Sequence, residues 1–157
     1  MTIKILNHRE KNEIETSLLE QFGIKRIPGE VISIGKERLF LFTGNLGREE
    51  VKKLEEITVV ERVGAYFAKF IDNGMGKKVR LSIEGSQFLK SQITKNILEI
   101  SDKNAEEWMK GHELYIQTGK RDFLIMKNNN DFLGTGKASE NKIGNFIPKN
   151  RRLRERG

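Results

Sequence analysis

The sequence predicts an α+β protein, with a small α+β unit first and a compact, partly closed β-barrel with short helices after it. Three observations predict it. Apolar residues near the N-terminus recur at helical spacing. Short runs rich in Val, Ile, Leu and Phe follow, separated by Gly, Asn and Asp turn signals. Beyond residue 76 such runs dominate, with only two brief helical stretches between them.

Each element has its own reason. Asn7 with Glu10 three residues on is an Asn form of the capping box, and Ile14, Leu18, Leu19 and Phe22 make one apolar helix face that Gly23 ends. Pro28-Gly29 turns the chain into a strand over residues 30–34. Gly35-Lys36 then connects it to residues 38–43, apolar on both faces and so expected to be covered. Residues 47–57 return to helical spacing, and Val59-Val60 and residues 63–71 read as strands. The Asp72-Asn73-Gly74-Met75-Gly76 stretch is the predicted boundary, giving units 1–75 and 76–157. Past it, Val79, Leu81 and Ile83 alternate with Lys78, Arg80 and Ser82, which predicts a half-buried strand with a basic outer face. A helix over 85–91 with Phe88 and Leu89 inward follows, then a strand at 97–100 and a helix at 104–110 capped by Ser101 or Asp102 and closed by Gly111. Strands at 113–117, 122–126 and 132–136 complete the barrel, the last two joined by a hairpin loop at 128–131.

Charge divides the chain more sharply than hydropathy. The net charge is +7, yet residues 1–75 hold 12 Lys/Arg against 12 Asp/Glu, whereas residues 76–157 hold 17 against 10. An excess confined to one half is an electrostatic footprint for a polyanion, and RNA is the obvious one. It culminates in residues 137–156, where seven Lys/Arg face only Glu140 and Glu155. No apolar run approaches the roughly 20 residues that span a bilayer, so no membrane partner is expected. The first ten residues lack a signal-peptide pattern, and the chain has no cysteine, which excludes disulfides, thiolate zinc and a Cys nucleophile. These features together predict a cytoplasmic setting.

Several stretches resemble known proteins. Gly64-Ala65-Tyr66-Phe67-Ala68-Lys69-Phe70, followed by Lys78-Val79-Arg80-Leu81-Ser82-Ile83 and Phe88-Leu89, resembles the joint between the N-terminal domain and the PUA domain of one family. That family is the ribosome-biogenesis proteins related to nuclear import protein seven. Trp108-Met109-Lys110-Gly111-His112-Glu113-Leu114 is similar to the PUA signature in which a short helix ends at glycine before a strand. Phe132-Leu133-Gly134-Thr135-Gly136 looks like the final PUA hairpin strand. The tail Asn145-Phe146-Ile147-Pro148-Lys149-Asn150-Arg151-Arg152 departs from that family, being more basic, and is closer to PUA-like modules associated with sun-family rRNA cytosine-5 methyltransferases. The resemblance implies a pre-PUA domain, a PUA pseudobarrel and a non-enzymatic RNA-binding factor in ribosomal RNA processing or subunit assembly.

The candidate RNA contacts are Lys149, Arg151, Arg152 and Arg154, with Arg156 behind them, because an arginine fork grips phosphate oxygens bidentately. Lys137 and Lys142 flank the Gly-rich turn and extend the patch, and Lys78 and Arg80 join it if their strand lies alongside. The plain alternative is a frayed, solvated terminus. Phe146 either stacks on an unpaired base or pins the tail to its own domain, and the pin is favoured. Lys69, in an apolar strand, either snorkels to the surface or holds an interface ion pair. Trp108 belongs in the core with its indole N–H on one partner.

Catalytic readings fail on inspection. Gly134-Thr135-Gly136-Lys137 invites a phosphate-loop reading, but Asp131 stands where that pattern needs Gly and Ala138 where it needs Ser or Thr. His8 and His112 have no second ligand spaced nearby, so no metal, cofactor or catalytic residue is predicted. The expected function is binding of ribosomal RNA, with the neutral N-terminal domain free to meet a ribosome-assembly or RNA-modification protein. Two alternatives are an accessory subunit that delivers RNA to a modification enzyme, and a module that binds an acidic protein.

Overall fold

The computed structural model describes residues 3–42, 65–72, 74 and 76–154. The helix predicted at 47–57, the strand at Val59-Val60 and Arg156 lie outside the described residues. The α+β class holds: two sheets and three α-helices form the described chain.

The first sheet has the order β1 (Ile3–Ile5), β2 (Glu30–Ile34), β3 (Arg38–Phe42), β4 (Ala65–Asp72) and β5 (Lys77–Leu81), every pair antiparallel. Between β1 and β2 the chain makes α1 (His8–Phe22). Its capping box is complete, with Glu10 N–H donating to Asn7 Oδ1 at 2.9 Å and Asn7 N–H to Glu10 Oε1 at 3.1 Å. Gly23 ends it at φ 77°, a conformation that glycine adopts without steric cost. Ile14, Leu18 and Phe22 press onto one face of the sheet, against Val31, Leu39, Leu41, Phe67, Val79 and Leu81. The other face carries Ile32, Ile34, Phe40 and Tyr66.

β4 and β5 are paired strands of one sheet, so a boundary drawn between them divides that sheet. Ile83 does not continue β5 as its alternation predicts; it opens α2 (Ile83–Phe88). Ser82 turns the chain by capping that helix, its Oγ accepting from Gly85 N–H at 2.9 Å and donating to the Tyr66 carbonyl at 3.1 Å. Gly85 lets the helix lie on β4, because a Cβ there would stand 2.1 Å from the Phe67 carbonyl oxygen. The helix lies earlier than the predicted 85–91 span, and of the two residues expected inward Leu89 is buried but Phe88 is 52% exposed.

The second sheet runs β6 (Ile97–Glu99), β7 (Phe123–Asn128), β8 (Asp131–Ala138) and β9 (Ile143–Gly144), with β6 and β7 parallel and the others antiparallel. The predicted strand at 113–117 is reduced to one bridge, Leu114 with Ile143. Between β6 and β7 lies α3 (Asp102–Met109), capped by Ser101. Trp108 is fully buried among Leu114, Leu124, Met126 and Ile143, and its indole N–H donates to the Leu133 carbonyl at 2.9 Å. The opposite side of β7 and β8 sends Phe123, Ile125 and Phe132 into the core shared with α1 and the first sheet.

Side chains seal this joint at the outer edge of β5. The buried Gln21 amide spans Val79, donating to its carbonyl at 2.9 Å and accepting from its N–H at 2.7 Å. Leu81 N–H donates to Thr135 Oγ1 of β8 at 2.9 Å. Gln21→Met keeps the shape but strands both Val79 groups, so it is expected to cost about 2–4 kcal/mol. A fall in the midpoint of denaturant unfolding checks this, and an unchanged midpoint would show that the edge is sealed in some other way.

Candidate nucleic-acid interface

The tail that the sequence marks as a basic arm is seated on the second sheet and α3. Asn145 does most of the anchoring. Its amide donates to the carbonyls of Trp108 at 2.8 Å and His112 at 3.0 Å, and its Oδ1 accepts from Ile147 N–H at 2.8 Å. Ile147 is buried, and Leu153 N–H donates to the Met109 carbonyl at 2.8 Å. Phe146 is a pin: it packs on the shared core, edge-on to Phe123 with ring centroids 6.1 Å apart. The frayed-terminus reading therefore fails for residues 145–153. Hydrogen bonds and apolar burial recur along that stretch and hold it.

Seating the tail sorts its cations. Arg152 is structural, its Nε donating to the Ile147 carbonyl at 2.9 Å while its side chain lies over Gly111, where a Cβ would collide with it. Arg151 pairs with Glu84 of α2. Lys149, on a single 3-10 turn (Lys149–Arg151), and Arg154 are exposed and have no carboxylate partner among the described residues. Lys142 pairs with Glu113 at 3.1 Å. Lys137 donates to the Arg121 carbonyl at 3.0 Å and lies 5.3 Å from the centre of the Phe123 ring. Lys78 pairs with Asp122 at 3.2 Å. Burial works to raise the Asp122 pKa, but the Phe123 N–H and the Lys78 ammonium outweigh it and hold the carboxyl below its ordinary value.

The basic outer face predicted for β5 is not an open one. Lys78 and Arg80 are both half-buried. The Arg80 guanidinium stacks 4.0 Å over the Phe146 ring, so the tail's pin and a β5 cation hold each other. Burial pulls the guanidinium below its ordinary pKa, with the Tyr66 phenol offsetting part of the effect. Burial likewise pushes the Tyr66 phenol up, opposed by the nearby positive charge of Arg80.

Arg80 lines a cavity of about 570 Å³ that the sequence does not disclose. Its walls are the second face of β3–β5, the start of α2, the Gly134 region of β8 and, from the tail, residues 146–148, Asn150 and Arg151. It unites Arg80 and Arg151 and adds Arg38, Lys69 and Tyr66. Strand register explains the addition: Arg38 stands opposite Lys69, and Lys69 opposite Arg80. A cation in an otherwise apolar strand was the available signal for Lys69, whereas Arg38 gave no signal of its own. Among the described residues no cluster of His, Cys, Asp or Glu is placed to hold a metal ion, and no helix is long and apolar enough to cross a membrane.

Residues 95–153 match the family described as the methyltransferase RsmF PUA domain. No curated protein matches the chain. The matched region spans β6 through the seated tail, a little over a third of the chain, and so includes Trp108, Phe146 and every tail cation from Lys137 to Arg152. Its Asn145 contacts predict a specific lesion. Asn145→Ala should cost about 1–3 kcal/mol, since it removes three hydrogen bonds. It should also speed tryptic cleavage after Arg151 and Arg152. Unchanged resistance to trypsin would assign the anchoring to Phe146 and Ile147 alone.

Proposed function

We propose that this protein is a non-catalytic RNA-binding factor whose PUA region grips ribosomal RNA during ribosome assembly or rRNA processing. The observation that carries the reading is the PUA match, since such domains typically bind RNA. The cationic tail supports it, because a seated arm presents its charges in fixed positions and each neutralised phosphate releases counterions. Lys149 and Arg154 are the leading contacts in this proposal. Arg151, Lys78 and Lys142 are ion-paired and Lys137 donates to a carbonyl, so an RNA phosphate has to compete for each, and Arg152 supports the tail's shape. Arg80 belongs to the cavity wall.

Two units, 1–75 and 76–157, are part of the same proposal. The charge surplus and the PUA match both lie beyond Gly76, while the sheet shared by β4 and β5 makes each unit depend on the other for folding. The first unit would then meet a protein partner in a cytoplasmic setting. A second reading has a specific observation in its favour: the matched family is a methyltransferase's PUA domain, which suits a chain that delivers RNA to a separate modification enzyme. Co-purification with such an enzyme, and faster RNA modification when this chain is added, would favour that version.

The deciding measurement is affinity for a ribosomal RNA fragment as a function of salt. Replacing both Lys149 and Arg154 with Ala is expected to weaken binding and to flatten the log–log slope by about 1.4, at roughly 0.7 per phosphate contact on a single strand. If the intact protein binds RNA no better than an unrelated basic protein, the RNA reading falls and an acidic protein becomes the partner to seek.

A further inference from the structure

The cavity beneath the tail is charged in a way that packing alone does not explain. Arg38, Lys69 and Arg80 occupy directly paired positions on three neighbouring strands, where like charges repel. All three are half-buried, so bulk water screens them less than it would on an open surface. Arg151 approaches from the tail. Against these four cations, Glu84 is the one carboxylate among the described residues of the wall, and it pairs with Arg151. Lys69 and Arg80, side by side on neighbouring strands, suit an anion of more than one charge. A phosphate monoester carries about −1.5 to −2 at neutral pH, whereas an internal phosphodiester carries a single charge.

The rest of the wall suits the organic part of such a ligand. Tyr66, Ile147 and Pro148 present apolar surface beside the cations, and the cavity's 570 Å³ falls within the range of small-molecule sites, about 300–1,000 Å³. We propose that this cavity binds the terminal phosphate of a nucleotide, with Lys69 and Arg80 on the phosphate, Arg38 completing the row, and the nucleoside against Tyr66 and the Ile147-Pro148 wall. The anion site stands on the strand register. The choice of a nucleoside as the organic part rests on the RNA-binding reading.

Calorimetric titration of the full chain with 5′-AMP, 3′-AMP and adenosine tests the site. At least one AMP isomer is expected to bind tenfold or more tightly than adenosine. Lys69→Met should lower that affinity at least tenfold while leaving the unfolding midpoint equal or raised, because it relieves repulsion on both sides. Arg38→Met serves as the second variant and should also lower AMP affinity. RNA hexamers with and without a terminal phosphate separate the two sources of the ligand. Tenfold preference for the phosphorylated hexamer assigns the site to an RNA end, and binding of AMP alone assigns it to a free nucleotide; either result upholds the site. The proposal is overturned if AMP binds no better than adenosine, or if Lys69→Met leaves AMP affinity unchanged. Salt-dependent binding of ribosomal RNA through Lys149 and Arg154 would survive that outcome, and AMP binding without RNA binding would sink only the RNA reading.

Discussion

The outer edge of β5 is the constraint on which the molecule turns. It is the last strand of the first sheet, yet it lies inside the protein, where unpaired backbone groups are costly. No further strand pairs with it among the described residues. Gln21 from α1 and Thr135 from β8 supply the missing partners instead. Helix, first sheet and second sheet therefore meet along one strand, and a single apolar cluster from Leu6 to Phe132 fills the junction. Because strand residues alternate between faces, fixing Val79 and Leu81 inward also fixes Lys78 and Arg80 on the opposite side. The cavity wall is thus a consequence of how the edge is sealed.

On that opposite side the structure accepts an arrangement that sheets ordinarily avoid. Cross-strand neighbours of like charge destabilise, and burying them removes some of the solvent that would relieve the repulsion. Arg80 is partly compensated by the Phe146 ring and the Tyr66 phenol. Those contacts orient its guanidinium but do not remove its charge. Local rules broken without a visible structural gain tend to mark function rather than packing. The tail is part of the same arrangement, since Phe146 reaches Arg80 only because Asn145 and Ile147 hold the chain against α3 and the second sheet.

Much of this fold was legible in the sequence, because local signals and tertiary demands agree. Asn7, Glu10 and Gly23 bracket α1 as capping chemistry requires, and the strand at Glu30–Ile34 follows from the Pro-Gly turn and its apolar run. Reading failed where a tertiary contact overrode a pattern. The alternation through Val79, Leu81 and Ile83 points to one continuous strand, but Ser82 caps a helix and the bare Cα of Gly85 lets it settle on Phe67. At the tail the aromatic Phe146 signals the pin, but most of the anchoring falls to the neutral Asn145 and Ile147, which carry no charge signal. Lys69 was visible as an anomaly, but Arg38 was not, because only strand pairing brings it to Lys69.

Counting charge along the chain and counting it in space give different sites. By sequence the first 75 residues are neutral and the rest hold the whole surplus. In the fold, the neutral half sends Arg38 and Lys69 into the cavity, whereas Glu10, Glu15 and Glu30 are set elsewhere and Glu37 acts on Arg80 and Tyr66 by its charge without lining the wall: Glu10 pairs with Lys4, Glu15 accepts from Ile27 N–H, and Glu30 lies at the far end of β2. The basic half meanwhile spends Lys78, Lys137 and Lys142 on internal partners. Electrostatic attraction at short range depends on the spatial count, since interactions between exposed charges fade over about 8–10 Å in physiological salt. A basic half explains why a polyanion approaches this protein; strand register determines where a charged group can be held.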